Sequence, residues 1–233
     1  MSGVPVRAAL FDMDGTLIDS EVHTDTAVRV IAGRHGIADF ALPHTETRGR
    51  TWGHIANVLR ERTGVSVGPE ALADELLAYW SEIAAAVTPV PGASAALREA
   101  ARHLKLGVVS SSPRAVIDRF LEKLGVADCV EHTARIGGDA VRASKPDPDG
   151  YLQGARALGV VPAESLVFED SQAGLLAARA AGMRSVFITC CAADIPGNTA
   201  LATASLRDYL ALPPRFWARL ADGSLELAGQ VYA

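Results

Sequence analysis

The 233-residue chain has little cysteine, three residues in all: Cys129, Cys190 and Cys191. The count is odd, two are adjacent, where an ordinary disulfide is geometrically disfavoured, and no spacing resembles a zinc site. Incidental or buried thiols of a reduced cytoplasm are expected. No apolar run reaches the roughly 20 residues that span a bilayer. The N-terminal segment lacks the basic region, apolar stretch and cleavage site of a secretory signal, so a cytoplasmic location is expected. A long basic run is also missing and the formal net charge is -5. Both argue against capture of nucleic acid or of an acidic membrane. What is present, 49% hydrophobic and 21% charged residues, suits a globular protein of one large domain or one domain with an insertion. A monomer or a weak dimer is expected.

The most informative segment runs from Val6 to Thr16, VRAALFDMDGT. A short apolar run ends in two carboxylates one residue apart, then Gly and Thr. Such a run reads as a buried strand of a parallel sheet, and open α/β sheets bind ligands at the carboxyl ends of their strands. Asp12 and Asp14 are therefore expected at a strand tip, where acids are costly unless they hold a metal or do chemistry.

Farther along, helix-like stretches are followed by Gly and an apolar strand: Ala93 to Leu106 before Gly107-Val108-Val109, Arg114 to Leu124 before Gly125-Val126, Tyr151 to Leu158 before Gly159-Val160, and Ala173 to Ala181 before Gly182 and Arg184 to Ile188. This alternation implies an α/β fold, a doubly wound parallel sheet with helices on both faces. Residues 20 to 106 break the rhythm, because a βαβ unit needs only about 30 residues. Within the break, Thr24 to His35, Thr51 to Thr63 and Glu70 to Ala86 look helical, the last carrying Leu72, Leu76, Leu77, Trp80 and Ile83 near helical spacing. Residues 20–87 read as an inserted α-helical cap domain over a Rossmann-like core of residues 1–19 and 88–233. Pro89-Val90-Pro91-Gly92 reads as the return hinge. The tail from Leu212 to Ala233 reads as either a packed extension or an association surface.

Four segments end strands, or follow them, with polar groups: Asp12 to Thr16, Ser110-Ser111-Ser112-Pro113, Ser144-Lys145-Pro146-Asp147-Pro148 and Glu169-Asp170-Ser171. Taken singly they are a loop, a helix start, a solvated turn and an N-cap. In order, each near a strand end of one sheet, they converge. Asp12 can attack phosphorus as a carboxylate nucleophile, and Asp14 can protonate the leaving oxygen and then activate water. An incoming phosphate needs a hard cation, and Mg²⁺ accepts carboxylate and phosphate oxygens, with Asp12 and Asp170 as ligands. Ser110 and the following amides can cradle phosphate, with Ser112 and Pro113 as N-cap and first residue of a helix. Lys145 adds positive charge.

These four segments resemble the four motifs of the haloacid dehalogenase-like phosphohydrolase superfamily, over about Val6 to Asp208. The insertion, Asp19-Ser20-Glu21 and Phe168 to Gly174 resemble the branch containing β-phosphoglucomutase and many sugar phosphatases. The resemblance implies an aspartyl-phosphate on Asp12 and general acid and base catalysis by Asp14. It implies Mg²⁺ held by Asp12, the Asp14 carbonyl and Asp170, with Glu169 as a ligand or a partner of the ligands. Ser110, Lys145 and the Ser111 amide would bind the phosphoryl oxygens. Dehalogenases of the superfamily generally lack an acid at the place of Asp14, which favours phosphoryl transfer.

The expected activity is Mg²⁺-dependent hydrolysis of a small phosphorylated metabolite, a sugar or sugar-alcohol phosphate. A phosphomutase is the alternative, although Thr24 occupies the place of the mutase histidine, with His23 one residue before it. A receiver-like phospho-Asp switch is a remote third. Arg48 to Trp52 occupy the branch's specificity loop. There Arg50 could contact a second anionic group and Trp52 stack on a sugar, or both could serve the surface and helix packing. His44 and His54 read as packing or surface residues, and His35 and His103 as helix-end residues.

Overall fold

The structure is a computed structural model that describes residues 4–225, 227 and 230–232. Residues 226, 228, 229 and 233 of the tail, and 1–3, lie outside the described residues. Among the described residues seven strands form one sheet: β1 (Ala8–Phe11), β2 (Lys105–Val109), β3 (Arg135–Ile136), β4 (Ser165–Glu169), β5 (Arg184–Ile188), β6 (Ala204–Leu206) and β7 (Gln230–Tyr232). Their order is β3-β2-β1-β4-β5-β6-β7, and every neighbouring pair is parallel. The central β1 is fully buried, which is why its sequence is apolar without alternation.

Between β1 and β2 run α1 (Glu21–Arg34), α2 (His44–Thr47), α3 (Trp52–Thr63) and α4 (Pro69–Ile83), the last followed by a 3₁₀ turn. Thr51 caps α3 by accepting from the His54 amide at 3.3 Å, and Pro69 starts α4, where its missing N–H costs nothing. Leu72, Leu76 and Trp80 form the buried stripe of α4. The chain leaves and re-enters the sheet side by side: the Asp19 amide donates to the Thr88 carbonyl at 2.9 Å, and the Val90 amide to the Leu17 carbonyl at 3.0 Å.

The remaining helices are α5 (Ala93–Ala100), α6 (Arg114–Lys123), α7 (Asp149–Leu158), α8 (Gln172–Ala180), α9 (Ile195–Thr199) and α10 (Phe216–Ala221). Successive strand residues point to opposite faces, and two apolar clusters result. Phe11 stacks on Phe168 at 4.8 Å on the face covered by α5, α6 and α10. Leu10 and Val167 face α7 and α8. Phe216, Trp217 and Leu220 are buried, so the tail is a packed extension through α10.

Three local expectations need correction. Gly107 does not end a helix. It sits inside β2 opposite Leu10, where a Cβ would lie 2.8 Å from the Leu10 side chain and 2.9 Å from the Ala134 carbonyl. Val126 and Val160 do not begin strands: β3 and β4 start later, at Arg135 and Ser165. Pro113, not Ser112, is the N-cap of α6, because the Ser112 hydroxyl is committed to Asp14.

The insert is joined to the main core by Trp80, which meets Trp52 at 5.7 Å and the core residue Phe120 edge-on at 5.9 Å. Trp80→Ala should cost about 3–5 kcal/mol and lower the urea midpoint. An unchanged midpoint would show that this indole is not the joint.

Candidate active site

The four sequence-selected segments meet at the carboxyl ends of β1, β2 and β4 and at the loop before α7. Lys145 lies at the centre. Its ammonium is 2.5 Å from Asp12 Oδ1 and 2.6 Å from Glu169 Oε1, and it donates to the Val109 carbonyl at 3.2 Å. All three side chains are buried. Glu169 is further saturated: Tyr151 donates to Oε1 at 2.8 Å, and the amides of Asp170 and Ser171 and the Ser171 hydroxyl donate to Oε2 at 2.9–3.0 Å. Glu169 therefore orients Lys145 and the β4–α8 turn.

Asp14 points into a group of hydroxyls. Ser20 donates to Oδ1 at 2.7 Å, and Ser112 and Ser110 donate to Oδ2 at 3.1 and 3.3 Å. Ser110 also accepts from the Ser112 amide. Ser111 turns the other way, its hydroxyl donating to the Gly49 carbonyl of the insert at 2.8 Å. Beside Arg48 and Gly49, Arg50 donates to the Lys145 carbonyl at 3.1 Å and to the Thr45 carbonyl at 3.3 Å. Trp52 packs on Trp80 and also lines, with Asp12, Asp14, Thr24 and Arg50, a chamber above the acid pair. His54 pairs with Glu46, His35 with Glu75 and His103 with Glu99.

Burial drives the electrostatics. It pushes the Asp12 carboxyl up to about 8 despite Lys145, and raises Asp14 against its three hydroxyl donors. Burial and the nearby Glu21 and Glu169 hold Asp170 well above the usual carboxylate range. Glu21, buried beside Arg48, is pushed up to about 8. Such a crowd calls for more positive charge than Lys145 and Arg48 supply. Carboxylate oxygens of Asp12, Glu169 and Asp170 lie within 4.8 Å of one another. Asp170 Oδ2 is buried without a hydrogen-bond partner. Gly15, at φ +82°, leaves it room: a Cβ there would lie 2.1 Å from that oxygen. Hard oxygen donors, an unpartnered carboxylate oxygen and excess negative charge fit a divalent cation.

Sequence reading missed several groups that this arrangement uses. Ser20 and Glu21 stood in a quoted motif without a role, Ser112 was assigned to a cap, and Tyr151 carried no signal because its contact with Glu169 is purely tertiary.

A model of the haloacid dehalogenase-like hydrolases matches residues 6–182, and the chain belongs to that family. It is 37% identical over 187 residues to a validoxylamine A 7'-phosphate phosphatase of Streptomyces hygroscopicus subsp. limoneus, covering 78% of this chain and 85% of the relative. It is 34% identical over 179 residues to a fructose-1-phosphate phosphatase of Escherichia coli, covering 76% and 93%. The fold is shared with β-phosphoglucomutase from Clostridium difficile, at TM-score 0.78 and 22% identity, over 93% of this chain and 97% of that one. The chain is accordingly a phosphoric monoester hydrolase of the branch that holds sugar phosphatases and β-phosphoglucomutase-like folds. Among the described residues no helix is long and apolar enough to cross a membrane.

The raised carboxyls bear on stability. Asp12 and Glu21 hold their protons more tightly folded than unfolded, so between about pH 4 and pH 8 the folded chain binds more protons and stability falls as pH rises. In chelator, the thermal midpoint should drop from pH 5 to pH 8. A rising midpoint would contradict the burial of uncompensated carboxylates.

Proposed function

We propose that the chain hydrolyses a small phosphorylated metabolite, a sugar or sugar-alcohol phosphate, through an aspartyl-phosphate on Asp12. The observation that carries this reading is the buried Lys145–Asp12 contact, with Asp14 two residues beyond the nucleophile. Lys145 orients Asp12 and offsets part of the burial penalty on its carboxylate form. Asp12 attacks phosphorus, the bond to the leaving oxygen breaks, and Asp14 gives that oxygen its proton. Asp14 then takes a proton from a water that attacks the phosphoryl group, which releases phosphate and restores Asp12. Ser110, the Ser111 amide and Lys145 hold the phosphoryl oxygens.

Asp12, Asp170 and the Asp14 carbonyl would hold Mg²⁺, with Glu169 positioning its neighbours. Bound there, the ion would neutralise charge on the nucleophile and the phosphoryl group. Residues 20–87 act as a cap on a core of residues 1–19 and 88–233, hinged at the paired segments around Asp19 and Val90, and exclude bulk water when closed. Arg50 and Trp52 face the leaving group. Thr24, which lines the chamber in the place of the mutase histidine, favours hydrolysis over phosphoryl return to the sugar.

Phosphorus NMR with Mg²⁺ and a panel of sugar and sugar-alcohol phosphates should show inorganic phosphate appearing. Conversion of one ester into another without free phosphate would make the chain a mutase. Asp12→Asn should remove nearly all turnover, by a factor of at least about 10⁴, with an unchanged circular dichroism spectrum. Retained turnover would remove Asp12 from the nucleophile role. Chelation should abolish turnover and Mg²⁺ restore it, whereas full activity without metal would sink the ion's assignment.

A further inference from the structure

The loop after β5 carries two thiols side by side. Cys190 is exposed and Cys191 half-buried, and their Sγ atoms lie 3.4 Å apart. The Ala192 amide donates back to the Thr189 carbonyl at 3.3 Å, which makes the two cysteines the central residues of a tight turn. The amides of Thr189 and Cys190 donate to the Leu206 and Arg207 carbonyls at 2.9 and 3.0 Å and fix that turn on the end of β6.

The two sulfurs are unequal. The Cys191 thiol donates to Cys190, which lowers the Cys190 thiol from its ordinary range against partial burial and the nearby Asp208 and Asp19. An accessible thiol that ionises readily beside a second, resolving thiol is the arrangement of a redox-sensitive cysteine pair. Cys129 is the contrast, because burial and the neighbouring Asp128 push its thiol up.

The same turn holds the insert. Arg48 Nη1 donates to the Cys191 carbonyl, and Arg48 Nε lies 3.4 Å from Glu21 Oε2. One guanidinium thus bridges the start of α1 and the loop after β5, beside the catalytic chamber that Glu21 lines.

We propose that Cys190 and Cys191 form a modification site, which a low-molecular-weight disulfide closes into a reversible vicinal disulfide that releases Arg48 and loosens the insert. The Cys190 thiolate attacks one sulfur of the small disulfide RSSR, its S–S bond breaks, and RS⁻ leaves with the electron pair. Cys191 then gives up its proton and attacks Cys190 Sγ, which expels the second RS⁻. The two cysteines are oxidised, RSSR is reduced to two RSH, and the two cysteine protons end on those products. Neighbouring Cα atoms are about 3.8 Å apart, short of the roughly 4.4–6.8 Å that ordinary disulfides span. The ring is therefore strained and readily reduced, which suits a reversible signal. Closing it twists the peptide between the cysteines and turns the Cys191 carbonyl away from Arg48.

The test treats the reduced full chain with glutathione disulfide and follows intact mass and a peptide map. The chain should lose the mass of two hydrogens, link Cys190 to Cys191, keep Cys129 free and revert with dithiothreitol. Cys190→Ser and Cys191→Ser should each keep basal turnover and lose the response. On oxidation, hydrogen exchange across residues 44–52 should rise. The kcat/KM for p-nitrophenyl phosphate should fall by about tenfold, the low end for one charge-assisted hydrogen bond. Arg48→Lys keeps a charge beside Glu21 but lacks the fork that reaches the carbonyl, so oxidation should still close the ring and move neither readout further. No reaction, a glutathione adduct that persists on Cys190, or one spread equally to Cys129 overturns the paired site. A closed ring with unchanged exchange overturns its hold on the insert. Failure to hydrolyse p-nitrophenyl phosphate before oxidation bears on the phosphatase reading alone, and exchange still decides this proposal.

Discussion

The ammonium of Lys145 is the interaction on which the site depends. It is buried between Asp12 and Glu169 and bound to the Val109 carbonyl, so it ties the ends of β1, β2 and β4 at one point. A buried cation survives only when paired and hydrogen-bonded, and removing one partner from such a pair typically costs about 3–5 kcal/mol. The surrounding structure is arranged to meet that condition. Tyr151 and the turn after β4 saturate the Glu169 carboxylate, leaving Asp12 as the Lys145 partner that lines the chamber.

The parallel sheet makes this convergence possible. All strands run the same way, so their carboxyl ends share one edge. Phe11 and Phe168 stack beneath that edge and hold β1 and β4 in register. Above it, consecutive residues of the insert reach different loops of the core. Arg48 contacts the Cys191 carbonyl, Gly49 accepts from Ser111 and Arg50 donates to the Lys145 carbonyl. Three consecutive residues of the insert thus fasten it to three separate loops of the core.

Much of this was legible in the sequence. The unbroken apolar run before Asp12 announced a buried parallel strand, the break from residue 20 announced the helical insertion, and four polar strand ends in order announced the site. Boundaries were less legible. Gly107 looked like a helix terminator because its reason for being glycine is a neighbouring strand and the Ala134 carbonyl, neither near it in sequence. Ser112 looked like a cap because its alternative partner, Asp14, lies 98 residues away.

What the sequence determined by itself is whatever local pattern can carry. The apolar strand, the amphipathic helices, the acid pair and the polar strand ends follow from side-chain type and spacing within a few residues. Tertiary structure decided which of those groups touch and in what state. Asp14 meets three hydroxyls, Asp170 keeps an unpartnered oxygen, and Arg48 Nε is buried beside Glu21. These outcomes depend on burial and on contacts between distant segments. Desolvation and hydrogen-bond satisfaction exist only once the chain has closed around them.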